Sequence, residues 1–258
     1  MATLSEDGLV QAANILRKST YAISLVGAGI SAESGVPTFR GEGGLWKKYG
    51  EPDHRGYQRF LDDPAEWWKQ AVERRKSMPE LSDALKDAEP NAAHVALAEL
   101  ERMGRMKHVI TQNIDDLHQR AGTMNISEIH GNRYKARCIR CNDRRDASEV
   151  DFENLDAGPP TCPSCGGLVK NDTVMFGEPI PSDVLAECYR QTDLCDVMFL
   201  IGTSAVVYPA ADFPVQALRR GAKLVEINPE ETPLSPLCDV VFRVPAGSVL
   251  PALVNLLK

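Results

Sequence analysis

The chain has no excess of basic residues. Its 36 aspartates and glutamates outnumber 29 lysines and arginines, leaving a formal charge of −7 and a pI near 5.3. Such a chain gains nothing from the phosphate neutralisation that drives general nucleic-acid binding, so no nucleic-acid partner is expected; small molecules or basic peptides suit it better. It also lacks a long apolar run. The longest, such as VMFLIG from Val197, is strand-sized, far short of the roughly 20 residues of a membrane span. The opening MATLSEDGLV has neither the basic nor the apolar region of a secretory signal, which leads to the expectation of a cytoplasmic protein. There is no internal repeat and no low-complexity tract. The seven cysteines do not form the even, dense framework of a small secreted domain. Three of them, Cys188, Cys195 and Cys238, stand alone and read as buried small apolar residues. What remains is ordinary globular composition, 43% hydrophobic and 25% charged over 258 residues. That is enough chain for one generous domain, or for a larger domain with a smaller one inserted.

Strand and helix signals alternate. An amphipathic helix is expected over 6–18, with Leu9, Ala12, Ala13 and Leu16 on one side. The run YAISLVGAG at 21–29 reads as a buried strand closing on a glycine turn. Residues 41–50 read as a loop, 63–78 as a helix with Pro64 near its start, and 91–103 as a helix capped by Asn91. Strands are expected at 107–113, 196–204, 223–228 and 239–244, with helices from about 115, over 212–221 and over 248–257. This order predicts an α/β fold, a parallel sheet with helices on both faces. Two stretches interrupt it, a helical one at 43–90 and an arginine-rich, cysteine-bearing one at 131–171. They read as insertions forming a smaller second domain, which leaves about 1–42, 91–130 and 172–258 for the large one.

The strongest chemical signal is Cys138-x-x-Cys141, a gap of 20 residues, then Cys162-x-x-Cys165 with two glycines after it. That spacing matches a tetrahedral zinc site. Four thiolates close the coordination sphere, so the Zn2+ is expected to be structural. The neighbouring Arg133, Lys135, Arg137, Arg140, Arg144 and Arg145 read as solvated charges on a small module. A second signal is Gly27-Ala28-Gly29-Ile30-Ser31-Ala32 after a strand, which fits a pyrophosphate-binding turn. The same residues also suit a tight turn that holds no ligand, and the acidic residue expected about 20 positions later is missing; Glu33 is too near. Among the five histidines, His94 lies on an apolar helix face and reads as packing, whereas His130 ends ISEIH directly before Gly131. The end of a strand is where α/β folds put chemistry, and this ranks His130 first.

Taken in order, Gly27–Ser31, Gly35-Val36-Pro37-Thr38-Phe39-Arg40-Gly41, Thr111-Gln112-Asn113-Ile114-Asp115, Glu128-Ile129-His130-Gly131, the two C-x-x-C pairs, Phe176-Gly177-Glu178 and Gly202-Thr203-Ser204 resemble the sirtuin family over nearly the whole chain. Thr38–Gly41 with Gly43-Gly44-Leu45-Trp46 is similar to its bacterial and mitochondrial deacylase branch. The resemblance implies a Rossmann-like NAD-binding domain and a lysine deacylase. NAD would be consumed, the acyl group passing to its ribose to give nicotinamide, O-acyl-ADP-ribose and free lysine, with His130 as general base. The cofactor contacts implied are Gly27, Ala28, Gly29, Ser31, Phe39, Arg40 and Trp46 in the flexible loop, then Gln112, Asn113 and Asp115 around the nicotinamide ribose. Gly202, Thr203, Ser204, Asn228, Pro229, Glu230 and Ala246 would serve the adenosine side. An acylated peptide would lie extended between Val174-Met175-Phe176-Gly177 and Val206-Val207-Tyr208. Two departures stand out. Lys170-Asn171-Asp172 replaces the family's usual proline after the basic residue, and Ala71 stands where removers of acidic acyl groups carry the tyrosine of Tyr-x-x-Arg, although Arg74 is kept. Arg74 could still pair a succinyl or malonyl carboxylate. An alternative activity on the same fold is protein ADP-ribosyl transfer.

Overall fold

A computed structural model describes residues 4–41, 43–77, 79–152, 154 and 158–258, without the side chains of 74–77 and 79–82. Six strands form its main sheet: β1 (Ala22–Val26), β2 (His108–Thr111), β3 (Ile126–Glu128), β7 (Val197–Ile201), β8 (Lys223–Ile227) and β9 (Val240–Phe242). Their order is β3-β2-β1-β7-β8-β9, and every pairing is parallel. The chain runs outward from β1 in one direction and then returns to run outward in the other. A crevice therefore opens between β1 and β7 at the carboxyl edge, where doubly wound sheets bind ligands.

The strands are apolar because both faces are covered. Along β1, Ala22 and Val26 enter one core while Ile23 and Leu25 enter the other. The first core packs under α1 (Glu6–Lys18), α6 (Ala92–Arg102) and α10 (Ala246–Leu257). The second packs under α8 (Ser182–Leu194) and α9 (Asp212–Arg219). As the spacing predicts, α1 buries Leu9, Ala12, Ala13 and Leu16, and Ser5 caps it by accepting from the Gly8 amide at 3.1 Å.

The insertions are built differently. Between β1 and β2 lie α2 (Leu45–Tyr49), α3 (Gly56–Asp62), α4 (Pro64–Ser77) and α5 (Pro79–Asp87). The loop expected over 41–50 thus contains a helical turn, held by amides of Leu45 and Trp46 that donate to Thr38 and Phe39 carbonyls at 2.9 and 3.0 Å. Its glycines hid that turn from a composition-based reading. The short α7 (Leu117–Arg120) lies between β2 and β3, and beyond β3 the strands β4 (Lys135–Cys138), β5 (Arg144–Asp146) and β6 (Val169–Asn171) make a separate antiparallel sheet ordered β5-β4-β6. The helical and cysteine-bearing insertions meet where Trp68 stacks on Phe152 at 5.1 Å and donates its indole N–H to the Phe152 carbonyl at 3.1 Å. The helix expected from about 115 starts only at Leu117, because Asp116 sits at φ 64°, outside helical space.

Candidate active site at the carboxyl edge of the sheet

The two glycine turns lock into each other. The Gly27 amide donates to Ile201 O and the Gly29 amide to Gly202 O, both at 2.9 Å. A Cβ on Gly27 would lie 2.7 Å from Gly202 O, and one on Gly29 2.7 Å from Gly202 Cα. Gly202 itself has φ 57°, with its missing Cβ aimed at the Ile30 amide. Glycine is required at these three positions by backbone packed on backbone, and the turn becomes the floor of the crevice. Beyond Gly27 the chain winds into a 3-10 stretch over Ala28–Ser34, ending on Gly35 at φ 83°.

Beside this floor, the residues after β2 form a buried polar chain. The Ser31 hydroxyl donates to Asp115 Oδ2 at 2.6 Å, and Asn113 Nδ2 donates to Ser31 Oγ at 3.0 Å. Asp115 Oδ1 accepts from the Leu117 amide at 3.2 Å. Burial raises the Asp115 pKa, against the Ser31 hydrogen bond that lowers it. Gln112 Nε2 reaches across to Thr203 Oγ1 at 2.8 Å, and Asn228 Nδ2 donates to Thr203 O at 2.9 Å. One network thus connects the ends of β1, β2, β7 and β8. Pro229 and Glu230 are exposed beyond Asn228, and the Glu230 carboxylate lies against Gly41, where a Cβ would meet it at 2.8 Å. Ala246 starts α10, and the next amide, Gly247, donates to Glu33 Oε2 at 2.8 Å.

His130 lies two residues past β3. Its Nδ1 is 3.2 Å from Gln112 O, which fits an Nδ1–H donor and leaves Nε2 as the free base. Burial lowers its pKa below 6.5, although the Gln112 carbonyl opposes the shift, and part of the residue stays accessible. The His130 carbonyl accepts from the Val174 amide at 2.8 Å, which hangs the 174–177 segment beside it. Over that segment lies an aromatic group: Phe39 on Trp46 at 5.6 Å, Trp46 on Phe176 at 5.8 Å and His54 edge-on to Phe176 at 5.5 Å. Arg40 stacks on Trp46 at 4.1 Å. On the β7 side, Ser204 leads to Val206, Val207 and Tyr208; Val206 and Tyr208 are exposed apolar groups, 42% and 70%, of the kind a partner covers.

The four cysteines of the small sheet converge. Their sulfurs all lie within 4.8 Å of one another, with Cys138 and Cys165 at 3.5 Å and Cys141 and Cys162 at 3.8 Å. Tetrahedral thiolates around zinc stand about 3.8 Å apart, given a Zn–S bond of about 2.3 Å. Both knuckles have the same build. The Asn142 amide donates to Cys138 O and the Gly166 amide to Cys162 O, with Asn142 and Gly166 at φ 62° and 68°. The Arg140 and Gly167 amides point at Cys138 and Cys165 sulfurs, each at 3.4 Å. The donor set fits a structural zinc ion.

Comparison with known proteins gives this arrangement its family. The Sir2 family model matches residues 27–209. A protein of Thermococcus kodakarensis named NAD-dependent protein deacylase is 44% identical over 253 residues, covering 97% of this chain and 96% of its own. The chain belongs to the Sir2 family. Two solved structures show the same fold. A Sir2 homologue in complex with NAD has 40% identity and a TM-score of 0.80, over 99% of this chain and 94% of that one. A Sir2 complex with a p53 peptide and NAD+ has 34% identity and a TM-score of 0.77, over 95% and 96%.

For a Sir2-family chain, the donor set of the crevice fits NAD. It holds the hydroxyl, carboxylate and amide groups of Ser31, Asp115, Asn113 and Gln112, with Arg40 as a cation near the loop. The acid missing about 20 positions after the glycine turn has a structural reason: the insertion with α2–α5 separates β1 from β2, and β2 is followed by Gln112 and Asn113. The basic stretch departs from its reading as solvated charge at Arg137, whereas Arg140 is exposed as expected. Arg137 is buried at 6% exposure and bonds Asp172 at 2.8 Å and the Glu178 carboxylate, while Arg144 and Arg145 pair with Asp183 and Asp143. Counting charge along the sequence cannot reveal the pairings with Asp172, Glu178 and Asp183, which come from further along the chain; Asp143 alone lies inside the stretch. The Arg74 side chain lies outside the described residues, on α4. His54 and Glu178 carry little signal of their own in the sequence, although the structure sets both beside the 174–177 segment. His54 sits in an ordinary-looking Pro-Asp-His-Arg-Gly turn, and Glu178 was visible only as the last letter of a motif.

Proposed function

We propose that this chain removes acyl groups from lysine side chains of proteins, consuming NAD and one water and releasing nicotinamide, O-acyl-ADP-ribose and free lysine. One observation carries this reading. His130 offers a free ring nitrogen while its own carbonyl holds Val174, so the base and the peptide cleft are built on one residue beside the crevice. Bound NAD would supply an electrophilic ribose carbon and a leaving group. The chain's part is to hold and shield: Asn113, Asp115 and Ser31 orient ribose hydroxyls and carboxamide, Phe39 and Trp46 exclude water, and His130 takes the proton of a ribose hydroxyl. The peptide would add as an extended strand between 174–177 and 206–208.

The preferred acyl group is acetyl or another neutral one. Phe39, Trp46, His54 and Phe176 form an aromatic surface over the cleft, and Ala71 supplies no tyrosine hydroxyl for a carboxylate. A cytoplasmic setting belongs to the same proposal, supported by cysteines free of disulfides and gathered as metal ligands. Product analysis by mass spectrometry tests the reading with acetyl-, succinyl- and decanoyl-lysine peptides. Equal amounts of nicotinamide, free lysine and acyl-ADP-ribose support it, with acetyl or decanoyl ahead of succinyl. Nicotinamide release with ADP-ribose left on protein would replace it with ADP-ribosyl transfer, and succinyl ahead would return Arg74 to the acyl site.

A further inference from the structure

The departure from the family's usual proline has a structural consequence in this chain. Asn171 ends β6, an edge strand of the small sheet. Hydrogen-bonded levels alternate along an antiparallel pair. The Asp172 amide donates to Lys135 O at 2.9 Å, so the adjacent level, Asn171 opposite Ala136, exchanges no ladder bonds. A proline is tolerated there because no ladder amide is lost. Asparagine restrains the backbone by other means. Its Oδ1 accepts from the Thr173 amide at 3.3 Å, closing an Asx turn, and its Nδ2 donates to Arg133 O at 2.8 Å.

These bonds lie directly ahead of the cleft. Buried Lys170 grips the carbonyls of Asn171 and Thr173 at 2.8 and 2.7 Å and pairs with Glu178 at 3.0 Å. Glu178 in turn accepts from the Met175 amide at 2.8 Å. The Val174 amide is held by His130 O, and Asp172 O packs so tightly on Gly131 that a Cβ there would lie 2.0 Å away. Arg133 and His130 share one short loop, so the Asn171 side chain ties the start of the cleft segment to the loop that carries the base.

We propose that Asn171 is a positioning residue for the acyl-peptide: its two side-chain hydrogen bonds fix the 172–177 backbone against the His130 loop, in place of the proline ring of relatives. This rests on the deacylase reading for its kinetic consequence and on the geometry alone for its backbone consequence, and the test separates the two. Asn171→Ala and Asn171→Pro are compared with wild type, all loaded with zinc, by hydrogen exchange of the 172–178 amides and by steady-state kinetics on an acetyl-lysine peptide. Asn171→Ala is expected to speed exchange in 172–178 and to raise the peptide KM about fivefold or more, the scale of losing two hydrogen bonds. The KM for NAD and the zinc content stay unchanged, and Asn171→Pro restores both slow exchange and low peptide KM. The proposal is overturned if Asn171→Ala exchanges and binds peptide like wild type. It is also overturned if both variants lose zinc or shift the two KM values together, which marks a purely structural role. If wild type itself frees no lysine, the deacylase reading fails, and the exchange comparison still decides whether Asn171 holds the segment.

Discussion

His130 is a weak signal as a histidine and a strong one as a position. Burial works against its charged form, so its ring stays neutral at pH values where an exposed imidazole would begin to protonate. With a pKa below 6.5, the acid limb of kcat/KM is expected below that value, falling as His130 takes up its proton. A pH–rate profile reads this directly, and a limb above 6.5 would point to a different base. Ser31 makes a second prediction. Its hydroxyl satisfies Asp115 and accepts from Asn113 inside the protein. Ser31→Ala takes these partners from Asp115 Oδ2 and Asn113 Nδ2, at a cost of about 1–3 kcal/mol. Calorimetric titration should show NAD affinity about tenfold weaker or more, with the zinc site untouched.

The small antiparallel sheet has little apolar interior of its own. Its core consists of Ala136, Cys138, Phe152, Cys162 and Val169 together with Trp68 from the helical insertion. Metal binding is therefore expected to supply folding energy there. Chelation, or Cys141→Ala, should expose Trp68, shift tryptophan emission to the red and abolish peptide turnover, since β4 and β6 carry the ion pairs that hold the cleft segment. Unchanged emission after complete zinc removal would contradict this. Gly131 joins the two sheets with φ 75° and no room for a Cβ. Gly131→Ala should destabilise by several kcal/mol, seen as a lower denaturation midpoint. Spacing made this module legible: cysteine intervals depend only on local turn geometry. The ion pairs were not legible, because Arg137, Asp172 and Glu178 meet only after β4 and β6 pair.

Over the whole chain, the sheet was legible because apolar runs closing on polar turns recur at the parallel strands other than the short β3, Ile-Ser-Glu, and the doubly wound order follows from where those strands can cross. The helices of 43–90 were less so, since short helices packed on a loop carry weak periodicity. Three buried histidines set the response to acid. Desolvation brings His94 and His108 to about 4 and His118 to about 3, and both His118 ring nitrogens lack a hydrogen-bond partner among the described residues. The folded pKa lies below the ordinary 6.5, so the fold favours the neutral form. Stability is full above 6.5, declines as the unfolded chain takes up protons first, and is lost progressively as pH falls toward 4, on the order of 3 kcal/mol each for His94 and His108. Denaturation midpoints at pH 7 and pH 5 should differ in that sense and flatten with His108→Gln. The most direct test of the account compares wild type with His130→Ala on an acetyl-lysine peptide, by mass spectrometry with and without NAD. The account predicts NAD-dependent lysine release by wild type, a loss of about 10²-fold or more in the variant, and NAD binding retained by both; equal turnover in the two proteins, or release of lysine without NAD, would contradict it.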